Sequence, residues 1–119
     1  MTTYTKLNLS ESKSGRPVPI VHTLGAASGT PLHIARGDTA GHDEVYIYAT
    51  NRAGADANVL FSIGPAANSI SDEVRVTLAF RVAPQTIIPG WPMNDSTGVY
   101  GRCDSIGAIQ VHGFVNRID

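Results

Sequence analysis

Histidine and cysteine are the residues of this sequence that could bind a metal or form a nucleophile and its base. The histidines lie at positions 22, 33, 42 and 112, without the close pairing of zinc motifs. His33 and His42 could converge with Asp38 around one loop, but we interpret them as solvated loop histidines. Cys103 has an acidic neighbour, which disfavours a thiolate, and its surroundings match no nucleophile motif. We therefore predict a buried or semi-buried structural cysteine and no catalytic, cofactor-binding or metal-binding residue.

Two pairs of adjacent acids, Asp43-Glu44 and Asp72-Glu73, stand where strands are expected to begin. Paired carboxylates can perform acid–base catalysis, yet no cleft or aromatic platform is indicated beside either pair. We interpret both pairs as solvated strand entries that discourage edge-to-edge aggregation. The Asn94-Asp95 loop stays a minor candidate for a calcium site.

The single tryptophan, Trp91, stands in Pro89-Gly90-Trp91-Pro92, a sequence that predicts a rigid turn. A stiff turn can present an aromatic ring to a partner at little entropic cost. In the alternative, which we prefer slightly, the turn folds inward and Trp91 covers the open end of the fold. Trp91 is a candidate partner contact in the first orientation.

Composition limits the class of partner. Charged residues make up 16% of the chain and the net charge is -1, so no basic excess is present and nucleic-acid binding is not expected. No apolar run approaches the roughly 20 residues that span a bilayer as a helix, so a membrane partner is not expected either. The polar N-terminus lacks the apolar stretch of a secretory signal, which indicates synthesis in a cytoplasm. Weak charge repulsion between copies favours an oligomer or docking on a larger body.

Short β-strands are the elements that must position these residues. The most regular segment is Glu73–Phe80, where apolar and mostly polar residues alternate, as in a strand with one dry and one wet face. In the last strand, Ala108–Val115, the alternation places His112 and Phe114 opposite the apolar positions. Seven or eight such segments, with turn signals about every ten residues, predict an all-β fold. We expect a single antiparallel β-sandwich, closed as a jelly roll or a Greek key.

Two local features refine this expectation. Glu44–Thr50 and Ala57–Ile63 are rich in β-branched and aromatic residues and flank a short Gly54-containing loop, so they predict a hairpin of antiparallel neighbours. Pro84 confines any strand over Val82–Ile88 to an edge, or splits it, because proline cannot donate to a sheet ladder.

The N-terminal segment is predicted to lie outside the sandwich. Residues 1–19 carry no sustained period and include Pro17 and Pro19, which predict an extended arm, with the sandwich domain over 20–119. A disordered tail is the alternative. Candidate partner contacts on the arm are Tyr4, Leu7, Leu9 and Arg16, and those in the sandwich are Trp91, His112 and Phe114.

Three stretches together resemble small all-β virion structural proteins of tailed bacteriophages. They are Asp43–Arg52 (DEVYIYATNR), Ile87–Gly90 (IIPG) and the closing Ile109–Ile118 (IQVHGFVNRI). In such proteins a segment of the first kind, a Pro-Gly turn before the last strands and an ending of the type GFVNRI occur in one short domain. The resemblance spans roughly residues 20–118.

The resemblance implies a non-enzymatic capsid cement or decoration protein that binds and stabilises the shell of the major capsid protein. It implies a homo-oligomer, with a trimer favoured, on the capsid surface of a virion and made in the cytoplasm of a bacterial host. A phage neck or tail component, present as a larger ring, is one alternative. A small carbohydrate-binding β-sandwich is another, with Trp91, Tyr46, Tyr48 or Tyr100 as stacking platforms. An enzyme is not predicted.

Overall fold

The computed structural model describes residues 3–66, 72–80 and 83–119, and these ranges contain nine β-strands and no helix. The predicted all-β class is therefore confirmed. Accordingly, the described ranges offer no long apolar helix that could cross a membrane. The strands are β1 (Tyr4–Asn8), β2 (Val18–Pro19), β3 (Thr30–Ile34), β4 (His42–Asn51), β5 (Ala57–Gly64), β6 (Asp72–Leu78), β7 (Gln85–Met93), β8 (Gly98–Cys103) and β9 (Ile109–Ile118).

The strands form two antiparallel sheets that pack face to face as a β-sandwich. The five-stranded sheet has the order β1-β9-β4-β7, with β2 also paired to β9, and the four-stranded sheet has the order β3-β8-β5-β6. One apolar core lies between them. Its largest fully buried apolar side chains are Phe61, Leu9, Ile20, Leu32, Ile47, Leu78, Ile88 and Ile109.

The predicted alternation is confirmed in β9 and in most of β6. In β9, Ile109, Val111 and Val115 are buried, while His112 and Phe114 are half-buried on the other face. In β6 the exposed residues alternate with half-buried or buried ones, but the strand ends at Leu78. Phe80, predicted to continue the dry face, lies past the strand and is 41% exposed, because the chain there only touches β4 through an isolated bridge.

The predicted hairpin of Glu44–Thr50 with Ala57–Ile63 is wrong. The first segment belongs to β4 in the five-stranded sheet and the second to β5 in the four-stranded sheet. The buried Asn51 amide donates 2.9 Å hydrogen bonds to the carbonyls of Ala55 and Leu78, so it joins the crossing loop to the opposite sheet. Both arrangements bury one face of each strand, so the alternation pattern could not distinguish them.

The predicted turn at Pro89–Pro92 is also wrong, because these residues lie within β7. β7 is an edge strand, where proline is tolerated, as Pro84 indicated. Gly90 is an extra residue opposite the step from Val45 to Tyr46, and its φ of 101° suits glycine at such a bulge. Of the predicted Val82–Ile88 segment, Val82 lies outside the described residues, and the strand begins at Gln85.

The residues predicted as an N-terminal arm lie along the edge of the five-stranded sheet from residue 3 onward. β1 pairs with Phe114–Ile118 of β9, and β2 pairs with Gln110–Val111 of the same strand. Both segments are therefore strands of the sheet. Leu9, between the two strands, is only 1% exposed and belongs to the core.

The loop before β3 covers the part of the outer face of the four-stranded sheet that β8 forms. Arg102 in β8 is 1% exposed beneath this loop. It donates from Nε to the Ala26 carbonyl (3.0 Å), from Nη2 to the Ala27 carbonyl (3.2 Å) and from Nη1 to Ser62 Oγ (2.8 Å). Leu60 and Tyr100, which alternate with core positions on β5 and β8, are each 5% exposed. The loop therefore covers the β8 side of this face, whereas Glu73, Arg75 and Thr77 on β6 stay exposed.

We expect Arg102→Leu to lower the free energy of unfolding by about 2–4 kcal/mol, because Ser62 and two loop carbonyls would lose a charged donor in a buried place. Urea denaturation followed by circular dichroism measures the change. Arg75→Leu, at an exposed site on β6, is the matched control and should change stability by less than about 0.5 kcal/mol. An equal, small effect of both substitutions would show that Arg102 does not hold the loop.

Candidate functional site

The outer face of the five-stranded sheet carries a row of stacked rings. β4 and β9 pair so that Tyr46 lies opposite Phe114 and Tyr48 opposite His112. The Tyr46 and Phe114 rings stack with centroids 4.6 Å apart, and those of Tyr48 and His112 are 6.1 Å apart. The Lys6 ammonium of β1 lies 4.5 Å from the centre of the Phe114 ring, a cation–π contact. These five residues are called the aromatic face below.

The Tyr46 ring lies close to the backbone of β7 as well as to Phe114. A Cβ atom on Gly90 would come within 2.9 Å of the phenol carbon and oxygen of Tyr46. The glycine at the bulge therefore leaves room for the Tyr46 ring beside β7. This packing holds Tyr46 in one orientation, which reduces the side-chain entropy that binding would cost.

The aromatic face has little formal charge. The outward positions of β4 and β9 along the paired region are His42, Glu44, Tyr46, Tyr48 and Thr50 on one strand and Gln110, His112, Phe114, Asn116 and Ile118 on the other. Apart from the two histidines, Glu44 is the one formally charged side chain among these ten residues. Lys6 of β1 adds one positive charge beside them. A surface of half-buried aromatic and amide groups with few charges resembles the centre of protein interfaces in composition.

A buried ionic cluster lies at the end of the sandwich where β4 begins. Asp43, with no exposed surface, accepts hydrogen bonds from Arg117 Nε (2.8 Å) and Nη2 (3.1 Å), and its Oδ2 is 3.0 Å from His33 Nε2. The interpretations of Asp43 as a solvated strand entry and of His33 as a solvated loop residue are therefore wrong. Asp43 and Arg117 are register partners on β4 and β9, and sequence spacing alone could not pair them.

Burial and hydrogen bonding have opposite effects on the pKa of His33 and on that of Asp43. Burial lowers the pKa of His33 and outweighs the hydrogen bond with Asp43, which would raise it. Burial alone would raise the pKa of Asp43, but the hydrogen bonds from Arg117 and His33 together hold it below its ordinary value. At neutral pH the cluster thus contains a neutral imidazole, a carboxylate and a guanidinium.

The cluster is not arranged for proton transfer to a substrate. His33 Nδ1 accepts a 2.9 Å hydrogen bond from the Ser10 amide, and Nε2 contacts Asp43, so both ring nitrogens contact protein groups. His33 is 1% exposed. Its role in the fold is to join β3 of one sheet to β4 of the other.

Arg36 extends the cluster to the surface. Its amide donates to Asp43 Oδ2 (3.3 Å), and its guanidinium binds the carboxylates of Asp38 and Asp119 and the carbonyl of Ile118. The carboxyl-terminal residue is thereby joined to the loop after β3. Asp38 and His33 do not converge with His42 as the sequence allowed, and the residues that the structure describes include no group of three or more possible metal ligands.

Cys103 is fully buried, as predicted, and burial raises the pKa of its thiol. Its backbone amide donates to the carbonyl of His22 and its strand pairs with β5. A protonated, buried thiol without surface access packs as a small apolar side chain.

Trp91 lines a groove of about 580 Å³ at the open side of the sandwich, between the edge strands β6 and β7. The groove is lined by Ile63, Glu73, Val74, Trp91, Pro92, Met93, Asn94 and Thr97. Trp91 is 41% exposed. The residue borders this groove from a strand rather than from the predicted turn.

The predicted partner contacts lie in different environments. Tyr4 is 71% exposed and Arg16 is exposed, whereas Leu7 is half-buried and Leu9 is in the core, where a partner could not reach it. His112 and Phe114 belong to the aromatic face. Sequence reasoning considered Tyr46 and Tyr48 only as sugar platforms and did not connect them or Lys6 with Phe114. The sequence shows the alternation of β4, but it does not show that β4 pairs with β9 or in which register.

Comparisons of the chain with protein-family models, with curated proteins and with solved structures found no match. The functional inference therefore depends on the geometry of the described residues and on the resemblance found in the sequence.

We expect Asp43→Asn to lower the free energy of unfolding at pH 7 by about 2–4 kcal/mol, because Arg117 and His33 would lose the buried charge they contact. In the native protein, the lowered pKa of Asp43 contributes stability above about pH 4, which is lost as the pH falls through the folded-state pKa. The variant should therefore also lose less stability between pH 5 and pH 3. Urea denaturation across this pH range measures both effects.

Asp38→Asn provides the control, because this carboxylate binds Arg36 at the surface, where water and salt screen an ion pair and leave it little effect on stability. If Asp43→Asn and Asp38→Asn had equal effects at pH 7, the buried cluster would not be a major source of stability.

Proposed function

We propose that this protein is a non-enzymatic virion structural protein, of the capsid cement or decoration type, which binds the shell of a major capsid protein through the aromatic face. The observation that supports this most directly is the difference between the two outer surfaces of the sandwich. On the four-stranded sheet, a loop held by Arg102 covers β8 and leaves the charged or polar residues Glu73, Arg75 and Thr77 of β6 exposed. On the five-stranded sheet, stacked rings keep part of their surface open to solvent.

The chemistry of the aromatic face suits a protein partner. Stacked tyrosine, phenylalanine and histidine side chains offer apolar area in fixed orientations, and aromatic anchors supply much of the binding free energy at protein interfaces. The near absence of formal charge lowers the cost of removing the surface from water. A flat sheet surface of this kind fits a broad protein partner better than a small molecule, which needs a concave site.

The connectivity of the sandwich supports a jelly roll among the predicted topologies. With β2 to β9 counted from one to eight, the sheets have the orders 1-8-3-6 and 2-7-4-5, and the chain changes sheet at every connection except β5 to β6. That order is the one in which two Greek keys form a double sheet, an arrangement found in viral capsid domains. Because folds host many functions, this supports the proposal only by analogy.

The proposal includes a homotrimer, as the sequence resemblance implied. Light scattering after size exclusion, over a concentration series, should give a mass about three times the 12.6 kDa of the chain. A larger ring would favour the neck or tail alternative, and a monomer at high concentration would contradict a trimer in solution.

Binding to the shell tests the aromatic face itself. We expect Tyr48→Glu to weaken co-sedimentation with shells of the major capsid protein from the same genome by at least about tenfold, because a carboxylate would be buried without a partner. Thr77→Glu, at an exposed position on β6, is the matched control and should bind as the native protein does. Equal binding by both variants would place the contact elsewhere, and no binding by the native protein would contradict the capsid partner.

The Trp91 groove favours carbohydrate binding as a second candidate. An exposed indole beside the Glu73 carboxylate and the Asn94 and Thr97 side chains offers both a stacking surface and polar groups to a hexose. Tyr100 is buried and cannot serve as a platform, while Tyr46 and Tyr48 already stack on neighbouring rings.

The fluorescence of Trp91 distinguishes the two functions, because it is the only tryptophan in the chain. If the protein is a capsid component, millimolar chito- or malto-oligosaccharides should cause no saturable change in emission. A saturable change would support the carbohydrate alternative, provided that calorimetry shows the binding is lost in Trp91→Ala.

A further inference from the structure

Ser10 and His33 make a reciprocal contact between the N-terminal segment and β3. The amide of Ser10 donates to His33 Nδ1 over 2.9 Å, and Ser10 Oγ accepts from the amide of Ile34 over 2.8 Å. Ser10 directly follows the buried Leu9 and stands two residues after β1. The contact therefore joins the end of the N-terminal strand to the interior of the sandwich.

The partners of His33 determine where its proton lies. The Ser10 amide can only donate, so Nδ1 must present a lone pair and carry no proton. The proton of the neutral ring is then on Nε2, where it is donated to the Asp43 carboxylate. A second proton would have to bind Nδ1. The protonated Nδ1 and the Ser10 N–H would then be two donors facing each other, and their hydrogen bond would be lost.

The charged groups around the ring come from three elements besides β3. Asp43 of β4 and Glu11, the residue after Ser10, favour the protonated ring, whereas Arg117 of β9 disfavours it, and burial disfavours it most. Arg36 approaches through its amide, which donates to Asp43, while its guanidinium is held by Asp38 and Asp119. Protonation is thus opposed by burial and by the Ser10 amide, and the amide is removed from Nδ1 when the N-terminal segment moves away.

We propose that His33 is a pH-sensitive contact that holds the N-terminal segment, residues 3–10, against the sandwich, and that protonation of its Nδ1 releases this segment while the two sheets stay folded. The proposal is independent of the capsid function.

The N-terminal segment has few other side-chain contacts that would resist release. Tyr4, Thr5, Lys6 and Asn8 of β1 are exposed, and Leu7 is only half-buried. Apart from the β1–β9 ladder, residues 3–10 contact the rest of the protein mainly through Leu9, the Ser10 bonds and the Lys6 contact with Phe114. β1 also lies at a sheet edge, so its departure leaves the pairing of β9 with β4 intact.

Release should occur at mildly acidic pH. The pKa of His33 is lowered in the closed state from its ordinary value of 6.5, so the open state binds more protons as the pH falls below that value. The population of the open state should increase by up to about tenfold per pH unit, until the pH reaches the closed-state pKa.

Nitrogen chemical shifts of the imidazole rings test the starting state in the native protein. At pH 7.5 we expect His33 to be the neutral tautomer with the proton on Nε2. A proton on Nδ1, or a fully charged ring at this pH, would overturn the proposal without any variant.

Amide hydrogen exchange at pH 7.5 and pH 5, corrected for the intrinsic rate, tests the release. The opening equilibrium constant of the amides of residues 4–10 should be at least about tenfold larger at pH 5 than at pH 7.5. The β4 and β5 amides should keep their protection from exchange. In His33→Gln the increase should be absent, and it should persist in the control His22→Gln, which changes a histidine outside the aromatic face that contacts Thr30. An increase in the His33→Gln variant equal to that of the native protein, or simultaneous loss of protection throughout both sheets, would overturn the proposal.

Discussion

The pairing of β4 with β9 over ten residues is the constraint on which the rest of the structure depends. One register places Val45 opposite Val115 in the core, Tyr46 opposite Phe114 on the outer surface and Asp43 opposite Arg117 at the end of the strands. A slip of one residue would exchange the buried and outward sets of either strand. The core, the aromatic face and the buried ion pair are therefore three consequences of the same hydrogen-bonded ladder.

The two outer surfaces of the sandwich differ in how their polar and apolar groups are satisfied. On the four-stranded sheet, the buried Arg102 guanidinium donates hydrogen bonds to two carbonyls of the loop above it and to Ser62 of β5. On the five-stranded sheet, the aromatic rings stack on one another, and each keeps part of its surface open to solvent. An interface can form on the second surface without rearrangement of the fold, which is the physical basis of the proposed docking function.

The ionic cluster connects this architecture to the N-terminal segment. His33 receives the Ser10 amide on one side and gives its proton to Asp43 on the other, so one ring joins the N-terminal segment, β3 and β4. The segment runs along β9 on the side opposite β4, and Lys6 reaches over Phe114. The same short segment therefore contacts both His33 and the border of the aromatic face.

The sequence by itself determined the features that depend on local alternation: the all-β class, the dry and wet faces of β6 and β9, the edge position indicated by Pro84 and the burial of Cys103. It could not decide which strands are neighbours, because a strand with one apolar face packs equally well beside its sequence neighbour or in the opposite sheet. The predicted β4–β5 hairpin failed for this reason, and Pro89–Pro92 proved to be a bulged edge strand. Tertiary structure alone brought Tyr46 to Phe114 and Asp43 to Arg117 and His33, since those contacts join residues far apart in the chain.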